Sequence, residues 1–141
     1  EGSARGIINA MQQAVCETDM PRDAVGYVNA HGTGTQLGDK IEVLAVKTVF
    51  GDHAPEMLLS SIKAATGHMM GASGALEVSV AVKALHEGII PPTLNYETPD
   101  PECDLDCVPN EARKVDLEAA MSISVGLGGH NAAVLLKRWS E

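Results

Sequence analysis

Ile7, Ile8, Met11 and Val15 recur at helical spacing between about Ser3 and Thr18, which predicts an amphipathic helix with one apolar face. Met20-Pro21-Arg22-Asp23 breaks it. Val25 to Asn29 is short and mostly apolar, the pattern of a buried strand. From Asp39 onward, Ile41, Leu44, Ala45 and Val49 return to helical spacing, with Asp39 as N-cap, Glu42 three residues on as its box partner, and Gly51 as the stop. Met57 to Ser60 reads as the next strand. A helix from about Gly71 to His86 follows, opening on Gly, Ala and Ser and ending at Gly88. Its Val78, Val80, Val82 and Leu85 lie around more than one face, so deep burial is expected there. Regular patterning then fades from Ile89 to Glu118, where Pro91, Pro92, Pro99, Pro101 and Pro109 forbid most helix. An irregular stretch of this length inside a domain usually has a task of its own. Met121 to Val125 and Ala132 to Leu136 read as strands flanking a turn from Gly126 to Asn131.

Strand, small-residue loop and helix therefore occur twice in succession, the order of an α/β layered domain. Each loop holds a histidine, His31 in the first and His68 in the second. In open α/β sheets, ligands bind at loops beyond the carboxyl ends of strands, which is where both histidines fall.

Charge and composition narrow the chemistry. A net charge of −9 argues against nucleic acid, whose phosphates need clustered Lys and Arg. With four aromatic residues, Tyr27, Phe50, Tyr96 and Trp139, a base-stacking platform is not expected. The chain has no apolar run of about 18 residues that could span a membrane and no N-terminal signal pattern. Its 141 residues amount to one domain, and the abrupt start without Met is read as a fragment. Cys16, Cys103 and Cys107 give an odd count with no CxxC, so a reducing compartment and ordinary thiols are expected.

Two other site readings compete for the histidine loops. Gly32-Thr33-Gly34-Thr35-Gln36-Leu37-Gly38 follows a strand and opens a helix, as a dinucleotide loop does, but its spacing is G-x-G-x-x-x-G. Ser60-Ser61 stand where an acidic residue would bind ribose. Zinc would want a short H-x-x-x-H or cysteine-containing spacing, which is missing. Lys63 lies between an apolar strand and the second histidine, where a cation is costly unless paired. Glu77, early in the next helix, is its candidate partner.

Three motifs in register then resemble one family. Ala30-His31-Gly32-Thr33-Gly34-Thr35, the five-residue step from Lys63 to His68, and Gly126-Leu127-Gly128-Gly129-His130-Asn131 are similar to the hallmarks of β-ketoacyl-acyl-carrier-protein synthases of the elongating type. The resemblance implies a thiolase-like α/β fold, this chain being the C-terminal half of a five-layered αβαβα architecture. It implies decarboxylative Claisen condensation of malonyl-carrier protein with an acyl-enzyme in fatty acid synthesis. His31 and His68 would donate hydrogen bonds to the malonyl thioester oxygen, with Lys63 and Glu77 supporting the site. Thr33 and Thr35 would bind the pantetheine arm. In the Leu127-Gly128 turn, a backbone N–H would complete an acyl oxyanion hole. The family carries Phe at Leu127 as a gate to the acyl pocket, so chain-length preference is open here. The nucleophilic Cys belongs to the preceding half of such proteins.

The implied partners are malonyl- and acyl-loaded acyl carrier protein, the chain's own N-terminal half and a second copy in a homodimer, in the cytoplasm, with no redox cofactor. A monovalent cation near Asn29, Ala30 and Glu77 stays open. So do a polyketide ketosynthase, a thiolase (Gly67-His68-Met69-Met70-Gly71-Ala72-Ser73-Gly74 resembles a thiolase stretch) and a chain-length-factor-like structural partner.

Overall fold

The computed structural model describes residues 4–139. The predicted start of the first helix at Ser3 lies outside them. A four-stranded sheet is sandwiched between helices. Its strands are β1 (Val25–Asn29), β2 (Leu58–Ser60), β5 (Ala119–Val125) and β6 (Asn131–Lys137), in the order β2-β1-β5-β6. β1 runs parallel to β2 and to β5, while β6 returns antiparallel to β5. On one face, α1 (Arg5–Cys16) and α2 (Gln36–Phe50) bury Ile7, Met11, Val15, Val43, Val46 and Val49 against Val28 and Met121. On the other, α4 (Ser73–Glu87) buries Ala81, Ala84 and Leu85 against Tyr27, Leu58 and Ala120. Alternate residues of β1 thus serve opposite layers, as the two-residue period of a strand requires.

Three expectations need correction. Asp39 does not cap α2. The helix begins a turn earlier, and Thr35 caps it by accepting the Gly38 N–H at 3.2 Å. The Asp39 carboxylate instead accepts from Gly34 N, also at 3.2 Å. The buried stripe of α2 is correspondingly rotated: Val43, Ala45, Val46 and Val49 are buried, while Leu44 is 54% exposed. Finally, α4 is not enclosed on several sides. A 3₁₀ turn, Met70–Ala72, precedes it, and its inward face is small and polar, with Ser73, Glu77 and Ala81 buried. Val82, on its outer side, is 49% exposed.

The proline-rich stretch is held rather than loose. Two short strands, β3 (Ile89–Ile90) and β4 (Arg113–Lys114), pair antiparallel. Between them the chain runs beside β2, with Leu59 N–H donating to Asp106 O at 2.8 Å. Thr93 N–H reaches Val108 O, and Thr93 O accepts from Asn110 N, each at 2.9 Å. Ion pairs from Lys40 to Glu102 and from Lys47 to Asp104 strap the stretch to α2.

Candidate active site

Both histidines sit where the sheet's geometry delivers them. β1 ends at Asn29, two residues before His31. β2 ends at Ser60, and the short helix α3 (Lys63–Thr66) leads through Gly67 to His68. Because β1 and β2 are hydrogen-bonded neighbours, the loops meet: the two imidazole centroids are 5.3 Å apart and the rings are nearly perpendicular, at 81°.

Each ring is conditioned differently. His31 is half-buried, and burial, together with the charge of Lys63 and the nearby His68, holds its pKa down at about 4. It is therefore neutral at pH 7. Its Nδ1 is buried without a hydrogen-bond partner. His68 Nδ1 lies 3.1 Å from the Met70 backbone N–H and 3.2 Å from Ser73 Oγ. A backbone N–H can only donate, so Nδ1 accepts and the proton of the neutral ring rests on Nε2. That fixes the tautomer, which the residue pattern alone leaves undecided. Met70 reaches its position with φ +51°, a left-handed conformation a side-chain-bearing residue rarely adopts.

Lys63 and Glu77 are both buried and form an ion pair. The pairing of cation and carboxylate is what makes either tolerable at that depth. Glu77 Oε2 and Asn29 Oδ1 are further buried acceptors without a hydrogen-bond partner. Nearby, Asn29 Nδ2 donates to the Tyr27 hydroxyl at 2.9 Å, and that hydroxyl shares a 3.0 Å hydrogen bond with Ser60 Oγ.

The His31 loop is gripped from below. Glu42, 3% exposed, accepts the N–H of His31 on one carboxylate oxygen and that of Gly32 on the other, each at 2.7 Å. Burial raises its pKa to about 7 despite those two donors. Glu42 is thus a loop clamp, not the capping partner its distance from Asp39 indicated. An acid one turn into a helix that follows a small-residue loop was the only signal for it. Opposite, Ser61 Oγ donates to Gly32 O at 2.7 Å. Gly32 has φ +40°, and a Cβ there would stand 2.5 Å from Ser61 Cβ, so only glycine fits.

A cavity of about 530 Å³ opens beside these loops and is walled by the proline-rich stretch. It gathers Thr33, Thr35, Lys63 and His68 with Tyr96, Cys103 and Cys107. Leu127 and Gly128 are not part of it. They form the tip of the β5–β6 turn, which Gly126 N–H closes onto His130 O, and Leu127 is 99% exposed. Burial lifts the Cys107 thiol to about 11 and raises Cys103 also, so neither is a ready thiolate. Among the described residues, no group of three His, Cys, Asp or Glu side chains is arranged to hold a metal ion.

Residues 1–97 match the family model described as beta-ketoacyl synthase, C-terminal domain. The chain is 45% identical over 135 residues to a 3-oxoacyl-[acyl-carrier-protein] synthase 2 of Coxiella burnetii (strain RSA 493 / Nine Mile phase I), covering 96% of this chain and 33% of that protein. Among solved structures it is similar to a beta-ketoacyl synthase from Burkholderia phymatum STM815, with TM-score 0.91, 37% identity, and coverage of 98% of this chain and 33% of that one. It also superposes on a type II PKS acyl-carrier protein complex with its ketosynthase bound to the hexaketide, with TM-score 0.92, 30% identity, and coverage of 97% and 34%. The fold is that of the thiolase-like ketosynthases. The chain belongs to the beta-ketoacyl synthase family, as its C-terminal domain. It spans about a third of the length of the curated relatives it matches.

Proposed function

We propose that this chain provides the decarboxylation half of a 3-oxoacyl-[acyl-carrier-protein] synthase of fatty acid elongation. The observation that carries the reading is the facing pair His31 and His68, each on the loop after one of two adjacent parallel strands, with the Lys63–Glu77 pair buried behind them. Two N–H donors converging on a malonyl thioester oxygen would stabilise the enolate that forms as carbon dioxide leaves. Charge grows on that oxygen only toward the transition state, so fixed neutral donors lower the barrier selectively. In support, the low pKa of His31 keeps that ring neutral at pH 7, and the Met70 N–H on His68 Nδ1 leaves Nε2 of that ring to carry the donating proton.

In this reading the C–CO₂ bond breaks and its electron pair passes into the enolate. The enolate carbon then attacks an acyl thioester on a Cys outside this chain, and the C–S bond breaks. The sequence is redox-neutral, so it calls for no redox cofactor. Thr33 and Thr35, which line the same cavity as His68, would bind the pantetheine arm of acyl carrier protein. A backbone N–H of the Leu127-Gly128 turn would complete the acyl oxyanion hole. Asn29 Oδ1 and Glu77 Oε2, two buried oxygens without donors, are the right chemistry for a monovalent cation, which would neutralise charge beneath the histidines. The working enzyme is a cytoplasmic homodimer in which this half packs on its N-terminal half.

The test is made in the complete protein that contains this chain. His31→Ala and His68→Ala should each abolish malonyl decarboxylation while acyl loading of the nucleophilic Cys continues. Normal decarboxylation in either variant removes the core of the proposal.

A further inference from the structure

We infer that Ser61 is a positioning residue for the histidine pair, because its hydroxyl adds a side-chain hydrogen bond between the two histidine-bearing loops, beyond the backbone bond from Ala30 N–H to Ser60 O where the loops begin. This rests on the decarboxylase reading above. Ser61 follows β2 and precedes Lys63 by two residues, so it opens the His68 loop. Its Oγ donates across to Gly32 O at 2.7 Å, in the peptide segment immediately after His31. The same oxygen lies 3.4 Å from the Lys63 N–H, an outer-range contact within its own loop. The loops approach tightly here: a Cβ on Gly32 would stand 2.5 Å from Ser61 Cβ.

The Gly32 backbone is consequently held from two sides. Glu42 takes its N–H and that of His31 from the side of α2, and Ser61 holds its carbonyl from the side of the second loop. With the N–H side alone retained, the loop keeps a pivot and loses its stop. His31 can then turn relative to His68, and donors that must converge on one oxygen lose rate steeply with small displacements. Ser61 does not depend on this hydroxyl for its own placement: its backbone N–H donates to Thr93 Oγ1 at 3.2 Å, on the strapped proline-rich stretch. Removing the hydroxyl should therefore leave a folded protein.

The experiment uses Ser61→Ala and Ser61→Thr in the complete synthase, with the decarboxylation and acyl-loading half-reactions measured separately. Ser61→Ala should slow malonyl decarboxylation at saturation by roughly tenfold to a hundredfold, with KM and acyl loading little changed. Ser61→Thr keeps the donor and has the cavity beside it for the extra methyl, so it should recover most of the rate. A merely structural role predicts instead that both half-reactions fall together with the melting temperature. That result, or an unaffected Ser61→Ala, overturns the inference. A crystal structure of Ser61→Ala gives a readout besides activity: the ring separation should widen beyond 5.3 Å. If the unaltered enzyme does not decarboxylate malonyl-carrier protein, the functional reading fails, and the ring separation still decides the role of Ser61.

Discussion

Glu42 holds the main chain at His31, its two carboxylate oxygens accepting the N–H groups of His31 and Gly32 at 2.7 Å each. One buried acid thereby satisfies two adjacent donors in a loop that cannot use strand or helix partners. Glu42→Ala strands both N–H groups, and each unpaired buried donor costs about 1–3 kcal/mol. Glu42→Gln keeps one acceptor oxygen but turns an NH₂ toward the other donor. Urea unfolding should rank stability as Glu42, then Gln, then Ala, with malonyl decarboxylation falling in the same order. Equal stability of all three would show that the loop holds itself.

The same carboxyl and the adjacent histidine tilt stability in opposite directions with pH. The Glu42 pKa is raised to about 7, so between the ordinary carboxylate range and 7 the folded form keeps a proton the unfolded chain releases. Its contribution is full at low pH and is lost as pH rises through about 7. The His31 pKa is lowered to about 4 from 6.5, so the unfolded chain binds the extra proton between those values. That contribution is full above 6.5 and is lost as pH falls toward 4. Denaturant midpoints measured across this range should steepen in favour of high pH in Glu42→Gln, and lose that rise in His31→Gln.

Catalysis should follow His31 in a second way. A ring that protonates near 4 remains a neutral donor throughout the mildly acid range. Malonyl decarboxylation should therefore hold its rate as pH drops from 7 to about 5, where an unperturbed imidazole would already be mostly charged. An acid limb centred near 6.5, traced to His31 by NMR titration of its ring, would contradict the burial that depresses this pKa.

The helical period revealed α1 because it has one buried face, while β1 and the β5–β6 hairpin were legible as short apolar runs bounded by turn residues. The histidine loops and the Lys63–Glu77 pair were legible because a motif fixes residue types at fixed intervals. Glu42 and Ser61 were not. Their roles arise from contacts across 10 and 29 residues, the first made when α2 packs beneath the His31 loop and the second when β1 and β2 pair, and neither spacing repeats as a pattern. The start of α2 was misplaced for a similar reason: Thr35 and Asp39 are both capping residues, and the competition is decided by the loop geometry that Gly34 and Asp39 complete. The tight packing of α4 on the sheet was hidden because it uses Ser73, Glu77 and Ala81, which a search for large apolar residues passes over.

Leu127 stands at the fully exposed tip of the β5–β6 turn, where the resemblance in sequence implies a gate to the acyl pocket built on Phe. An exposed apolar tip next to a glycine turn is free to be a gate once the acyl pocket lies against it. Leu is smaller and lacks a flat ring, so it should close that pocket less tightly. In the complete enzyme, Leu127→Phe should shift the range of acyl lengths accepted more than it changes malonyl decarboxylation. An unchanged acyl profile would place the gate elsewhere.

The chain on its own should not condense anything. Condensation by this route needs an acyl-enzyme, and that needs an activated thiol. Cys107, at about 11, and Cys103, raised also, are held protonated by burial, and Cys16 lies exposed at the end of α1, outside the histidine loops. The decarboxylation donors are present without an acceptor for the carbanion they would release. Several apolar side chains are also uncovered: Met70 is 75% exposed, Met69 and Val82 nearly half, and Leu127 almost wholly. Such surface normally recruits a partner. The purified chain should self-associate in sedimentation or light scattering, or bind the N-terminal half when the two are mixed, and it should give no β-ketoacyl product with malonyl- and acyl-carrier protein. A monomer that forms that product would show that one of these three cysteines is a nucleophile after all, and that the exposed face around Met70 and Val82 needs no cover.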